Sequence, residues 1–447
     1  MPSITEVRDR PRAVTGLVAA IVAVAFADSS IVVLGLPQLY SRFETSITGV
    51  SWIVTSYNAA VAATTLALVF VVHRLRGRIA FAAGASLFLA ATIACASAQS
   101  LAFLIVARCV QGAGAGVLLA AALRFLPGSM WTLAGTFGAA LGPALGGVLT
   151  QLFDWRAIFV AQAPVAASAL LAVFARHSQT STDAGGGSLA RTLPANVCIG
   201  LIFGALVGAL FLAVLLVIVV WQYSPIGGAL IVSVLPVAAA AARPLARQLQ
   251  AVHAIAGGAS LLAAGLIALA LLPSASVAIA MGALALCGVG LGLAVPALSN
   301  AALDPAAGLT RSGTLTIGVR HLGLVAAIVA IAPLLASALP PAGDRAKLKA
   351  TQVLLDAPIG ITDKVPIAVD LHGAFERAKA GEIPDLAEPF DSRGARSNAT
   401  LAAARDDVVA AIEDSITRAF RPDFFLAAAF AAAAAAVAAV VGRRLLR

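Results

Sequence analysis

The sequence predicts an all-α polytopic membrane protein, with twelve transmembrane helices in two six-helix halves and a long external loop before the last helix. Three observations carry this. Hydrophobic residues make up 60% of the 447 and charged residues only 11%, against about 25% charged in soluble domains, and the mean hydropathy is +0.97. Much of the surface must therefore face lipid. Apolar runs recur, each about 18 to 25 residues and so long enough to cross ~30 Å of hydrocarbon as a helix. The remaining charge is sorted: fourteen of the 21 acidic residues fall between Asp344 and Asp423, while Lys and Arg gather in short loops. The net +9 thus reads as topology and not as a basic face for nucleic acid.

The twelve spans lie near 13–37, 50–71, 79–98, 101–124, 130–152, 156–176, 197–220, 225–246, 253–273, 276–302, 312–338 and 423–441. The first is too long for a cleavable signal peptide, carries Asp28 and is followed by further spans. Pro37, Pro127, Pro273, Pro340 and Pro341 stand at or near the expected helix ends. Arg8, Arg10, Arg12, the run 73–78, Arg176, Arg191, Arg243, Arg247, Arg311, Arg443, Arg444 and Arg447 all fall on one side if both termini are cytoplasmic, the side where short basic loops are retained. This places the chain in the plasma membrane with the bilayer as its first partner. Segment 339–422 then lies outside the cytoplasm. Within it Leu401, Val408, Val409, Ile412, Ile416 and Phe420 recur at helical spacing and predict an amphipathic helix. The segment reads as a lid packed on the membrane domain, or as a surface for an envelope protein or lipid partner.

Self-comparison shows a repeat. Cys109, Gly112 and Gly114 match Cys287, Gly290 and Gly292 at an offset of 178, and the same offset aligns Gly135 and Thr136 with Gly313 and Thr314. Six spans plus six in parallel give an N-terminal half over 1–176, a polar cytoplasmic linker over 177–196 and a C-terminal half over 197–447 that includes loop 339–422. Parallel halves around a central site are the architecture of alternating access.

Ionisable side chains within spans are costly and mark function. Asp28 is read as the sole carboxylate in any span. Counting ~1.5 Å per residue puts it roughly 13 Å below the outer surface, with Arg108 at about 10 Å and Tyr57 and Asn58 at about 11 Å. Burial and the arginine act on the protonation of Asp28 in opposite directions, so the group reads either as a proton-coupling site or as a structural pair. Gly138, Gly142 and Gly146 recur every four residues on one helix face, with Pro143 beside them, which makes a close and bendable helix contact. Arg320 and His321 sit about 12 Å from the cytoplasmic surface by the same count, as a gate or as snorkelling residues. Cys95, Cys109, Cys198 and Cys287 lie in apolar runs and read as small buried residues. No nucleotide-cradling loop occurs and the five histidines lack metal spacing, so neither an enzyme, a metal site nor a cofactor is expected.

Four runs carry a resemblance. Residues 26–37 (Phe-Ala-Asp-Ser-Ser-Ile-Val-Val-Leu-Gly-Leu-Pro), Trp52 with Ser56 and Tyr57, residues 104–114 (Leu-Ile-Val-Ala-Arg-Cys-Val-Gln-Gly-Ala-Gly) and residues 138–149 (Gly-Ala-Ala-Leu-Gly-Pro-Ala-Leu-Gly-Gly-Val-Leu) resemble, in order, motifs of the drug/proton antiporters of the major facilitator superfamily. The resemblance covers about the first 165 residues and implies the major facilitator fold. It also implies a secondary transporter that exports hydrophobic or cationic small molecules against a proton gradient by alternating access. On that reading Asp28 and Arg108 couple the proton. Tyr57, Asn58 and Gln111 line the substrate cavity, and Gly138, Gly142, Pro143, Gly146 and Gly147 belong to the conformational switch. Arg74, Gly77, Arg78, Arg320 and His321 form a cytoplasmic gate, although Arg74 stands where the family's loop carries an acidic residue and Phe70 where it carries a glycine. The alternatives are export of an envelope lipid or metabolite, and a non-transporting scaffold or sensor that uses the external loop.

Overall fold

The computed structural model describes residues 4–175, 187–377 and 386–442, and the regular structure among them is helical. In chain order come α1 (Ile4–Phe43), α2 (Ile47–Leu68), α3 (Gly77–Ala96), α4 (Leu101–Ala122), α5 (Gly128–Leu152), α6 (Arg156–Val160), α7 (Ala163–Ala175) and α8 (Leu193–Val214). They are followed by α9 (Pro225–Ala246), α10 (Ala251–Ala270), α11 (Val277–Ala302), α12 (Leu309–Asp356), α13 (Ile361–Arg377), α14 (Glu388–Asp391), α15 (Ala399–Thr417) and α16 (Arg421–Val441). Several starts are capped as their sequences dictate: Ser46, Ser100 and Ser224 accept hydrogen bonds from the backbone N–H groups of Gly49, Phe103 and Gly227, which satisfies donors the first helical turn leaves free.

Among the described residues, ten helical stretches are long and apolar enough to cross a membrane. α2 is not one of them, since Ser51, Thr55, Ser56, Asn58 and Thr65 lie along it, all buried. Nor are α6 and α7, because the expected sixth span is broken at residues 161–162. The cause is Pro164, which has no N–H to bond the Val160 carbonyl and whose ring obstructs a continuous helix there. The expected linker ends early, since Pro194 in the first turn starts α8 at Leu193. Residues 177–186 of that linker, Arg176, Arg443, Arg444, Arg447 and the side chains of Arg8, Arg10 and Arg12 lie outside the described residues.

α1 packs on α5 and α7, α2 on α4, and α3 on α4 and α7; farther along, α8 packs on α12 and α16, α9 on α11, and α10 on α11 and α16. These groups meet where α2 faces α12, α5 faces α9 and α1 faces α8. The glycine contacts repeat between them. Gly112 and Gly288 sit against the backbone of α2 and α9, Gly114 and Gly290 against α3 and α10, and Gly116 and Gly292 against α2 and α9 again. Equivalent neighbours therefore set the offset in this helix at 176, correcting the 178 read from the sequence. Glycines two residues apart had allowed either register, and only the neighbouring helices distinguish them. The match of Gly135 with Gly313 is not reproduced in the packing, since Gly135 sits against Phe26 of α1 and Gly313 against Leu123 and Leu303; the equivalent contacts are those of Gly138 on the Ala23 carbonyl of α1 and Gly323 on the Gly200 carbonyl of α8.

Pro37, Pro340 and Pro341 do not end helices. α1 runs on to Phe43, and α12 continues for 48 residues through Pro333, Pro340 and Pro341. The extension of α12 is held by tertiary packing against α15, which outweighs the lost backbone bonds. α15 is the expected amphipathic helix, burying Leu401, Ala404, Val408, Ile412 and Ile416. It docks on the bundle through Trp221 Nε1, which donates to Thr417 Oγ1 at 3.0 Å, and through Asp414 Oδ1, which accepts from the Ala275 N–H at 2.7 Å. Arg405 and Arg396 both bond Asp391 and hold its carboxyl below its ordinary range, so these pairs persist at neutral pH and are lost only as acid protonates Asp391. Cys109, expected inside, is exposed on the outer face of α4.

The α1–α5 seam joins sequence to packing directly. A side chain at Gly138, Gly142 or Gly146 would collide with Ala23, Ser30 or Ile31 of α1. Pro143 leaves the Ala139 carbonyl without its helical donor, and Ser30 Oγ of α1 donates to that carbonyl at 3.1 Å. Ser30→Ala should lower stability by about 1–2 kcal/mol, measured as unfolding of the purified protein. In a Pro143→Ala background, where a backbone N–H can take over, the same change should cost much less; equal costs in both backgrounds would refute the assignment.

Candidate functional site

α1, α2, α4, the α6–α7 turn and α12 converge on one buried polar group. Asp28, Tyr57, Asn58, Arg108, Gln111 and His321 are each fully buried. Arg108 of α4 donates through Nη1 to Asp28 Oδ2 of α1 and to Gln111 Oε1 at 2.7 Å, and through Nε to the Ile53 carbonyl of α2 at 3.0 Å. Its guanidinium lies over the Tyr57 ring, 4.3 Å from the centroid. The second carboxylate oxygen of Asp28 accepts from Gln162 Nε2 at 2.7 Å. Gln111 Nε2 donates to Thr92 Oγ1 at 2.9 Å and reaches Gln162 Oε1 at 3.3 Å. Each carboxylate oxygen of Asp28 thus has a partner on a different segment, Arg108 on α4 and Gln162 on the α6–α7 turn.

A second chain of bonds leaves the group toward α12. Asn58 Oδ1 accepts from Ser29 Oγ at 2.9 Å and lies 2.7 Å from His321 Nδ1. Since that amide oxygen is an acceptor, His321 carries its proton on Nδ1, and its other ring nitrogen is buried without a partner. The imidazole stacks on Phe26, with centroids 6.1 Å apart. Tyr57 hydroxyl donates to the Ala25 carbonyl at 2.7 Å. Beside His321, the Arg320 guanidinium lies between the rings of Phe26 and Phe203, at 4.4 and 4.0 Å from their centroids.

The structure therefore brings Asp28, Arg108, Tyr57, Asn58 and Gln111 together, with His321 at their edge. Arg320 and His321 lie in the fourth turn of α12. α12 starts at Leu309, which puts His321 about 18 Å along the helix at ~1.5 Å per residue. Arg74, Gly77 and Arg78 lie apart in the α2–α3 connection, with Arg74 exposed and Gly77 opening α3. That connection is tied down by Arg124, unremarked in the sequence, whose Nη2 donates to the Val72 and His73 carbonyls at 2.9 and 3.0 Å. Gly147 faces away from α1 and packs on Pro225 and Ala229 of α9. Gln162 was missed, although a lone polar residue two positions before a proline in an apolar run was a usable signal. Asp423 was passed over as the boundary residue of the last span; it is fully buried in the first turn of α16, so Asp28 is not the sole buried carboxylate.

Next to this group, α5, α8, α9, α11 and α12 enclose a cavity of about 910 Å³ including its mouth. Pro143, Pro236 and Pro296, each inside its helix, all line it.

The profile of the Major Facilitator Superfamily matches residues 18–341. The chain belongs to the major facilitator superfamily. The drug efflux pump JefA of Mycobacterium tuberculosis (strain ATCC 25618 / H37Rv) is 32% identical over 154 residues, 32% of this chain and 30% of that protein. The lincomycin resistance protein of Streptomyces lincolnensis is 30% identical over 188 residues, 40% of this chain and 39% of that one. The chain thus matches well under half the length of these curated relatives. Among solved superfamily folds, a bacterial homologue of the human lysosomal transporter Spinster, in an inward-facing and occupied conformation, superposes with a TM-score of 0.64 at 14% identity over 97% of each chain. Membership makes this a multi-pass membrane protein of a transporter family and not an enzyme.

The buried pair has a direct energetic test. Arg108→Ala strands the Asp28 carboxylate and should cost about 3–5 kcal/mol, read as thermal unfolding in detergent. Adding Asp28→Asn should recover part of that loss. A second substitution that merely adds to the first would contradict the pairing.

Proposed function

We propose that this protein is a proton-coupled secondary transporter that exports hydrophobic small molecules by alternating access. The observation that carries the reading is the double occupancy of Asp28 by Arg108 and Gln162. A proton arriving at Asp28 neutralises the carboxylate and removes its hold on α4 and on the α6–α7 turn. Arg108 keeps Gln111 and the Ile53 carbonyl as partners, so the released cation remains solvated by protein. Occupation of the site thereby changes which helices are tied together, as coupling requires.

The moving bodies are the halves 1–176 and 197–447, joined by 177–196, with α2 and the α6–α7 pair completing twelve spans. Both termini face the cytoplasm, and 339–422 lies outside. The Asn58–His321 bond spans the two halves and would break as they rock, while Pro143, Pro236 and Pro296 let their helices bend. Gly138, Gly142 and Gly146 keep α5 on α1 during that motion, and Gly147 forms the contact with α9 that opens and closes. Arg74, Gly77 and Arg78 serve as the cytoplasmic latch with Arg124. Drug efflux and resistance relatives support export. The cationic part of the expected substrate range lacks support, because the cavity is lined by arginines and no carboxylate.

Reconstituted in vesicles, the protein should release protons when a lipophilic substrate is added, and Asp28→Asn should abolish that release while Asp28→Glu keeps part of it. Substrate transport that keeps its full dependence on the proton gradient in Asp28→Asn would remove Asp28 from the coupling step.

A further inference from the structure

The cavity beside the buried group has an uneven chemistry. Its wall is apolar, built from residues such as Phe203, Leu206 and Leu235, apart from two threonine hydroxyls and the guanidiniums of Arg320 and Arg243. Neither arginine has an ion-pair partner among the described residues. Arg320 is fixed in place by Phe26 and Phe203, and its Nε is buried with no acceptor. The neighbouring Asp28 is paired with Arg108 and Gln162, and no ion pair joins it to Arg320. A cation held by rings and left without an anion, at the inner end of an apolar slot, is a site for a negative group brought by a ligand.

One end of the slot is closed by direct contact between α5 and α9. Gly147 packs against Ala229, and the Ile226 N–H donates to Gln151 Oε1 at 2.8 Å, so α5 and α9 are closed there. The cavity borders the earlier turns of α5, from Thr132 to Pro143, and the later turns of α9, from Leu235 to Arg243. Phe137 lines the slot and is 52% exposed, and Leu133 and Leu141, one turn to either side of it on α5, are exposed as well. The opening therefore borders the apolar flank of the bundle, from which a chain already dissolved in lipid can enter sideways.

We infer that this slot binds a single-chain amphiphile with one acidic headgroup, the headgroup on Arg320 and the chain lying along α9 and α11, with Arg243 selecting anions at the mouth. The inference deepens the export reading by naming its substrate class. It is tested without a proton gradient, so it stands or fails separately from the role of Asp28.

The test is equilibrium binding of radiolabelled dodecanoate to the full chain in lipid nanodiscs, with empty discs subtracted. Saturable binding should be displaced by unlabelled dodecanoate and by dodecyl phosphate, which also separates carboxylate from phosphate heads. Dodecanol and dodecyltrimethylammonium should compete about tenfold less well, the worth of one charge-assisted contact. Arg320→Gln should weaken binding by about tenfold or more and Arg243→Gln by less. Ala240→Trp fills the slot without touching charge and should abolish binding, which keeps the test decisive if Arg320→Gln fails to fold. Equal competition by the alcohol or the ammonium compound, or binding unchanged in Arg320→Gln or Ala240→Trp, would overturn the inference.

Discussion

A carboxylate in the middle of an apolar helical bundle has to be partnered, and the Asp28–Arg108 pair is the constraint around which the first seven helices are arranged. Removing two charges from water costs several kcal/mol per ion even after relaxation. That cost is offset only when nearly every lone pair and N–H finds a partner. Asp28 draws Gln162 from the α6–α7 turn, and Arg108 draws Gln111 and a carbonyl of α2. The break in the sixth span is therefore what lets Gln162 reach Asp28, while Arg108 Nη2 stays buried without an acceptor. Such a cage is a poor device for stability alone, since well-packed apolar residues would do as well. On the proposed reading, it makes helix contacts depend on one proton.

Glycine and proline divide the labour on α5. One face, with Gly138, Gly142 and Gly146, brings the backbone against α1. The adjoining side carries Pro143 and Gly147 to the cavity and to α9. Ser30 joins the two functions by bonding the carbonyl that Pro143 leaves free. On the proposed reading, α5 stays fixed to its own group of helices while its other side moves past α9. Small residues suit both contacts, because association in lipid rests on close packing and not on the hydrophobic effect.

Much of this was legible in the sequence, and for a physical reason. A charge in an apolar run cannot be camouflaged, so Asp28 and Arg108 could be singled out and placed at one depth. Span boundaries came within a few residues wherever a serine cap or a loop proline marked them. What escaped depended on tertiary context. The continuation of α12 through Pro340 and Pro341 is held by α15, far off in sequence. The partnership of His321 with Asn58 joins positions 263 apart, and the pairing of Arg320 with Phe26 and Phe203 leaves no periodic trace. The repeat offset was misread by two because the glycines recur every two residues in that helix, and only their neighbours fix the register.

The account turns on whether Asp28 takes up a proton while the protein works. Infrared difference spectroscopy on the reconstituted protein, recorded on adding a transported substrate and on changing pH, reads this directly through the carbonyl stretch of a protonated carboxyl group. The account predicts such a band in the wild-type protein, its loss in Asp28→Asn, and its persistence in a variant altered at Asp423. Transport without any protonated-carboxyl band assignable to Asp28 would contradict it.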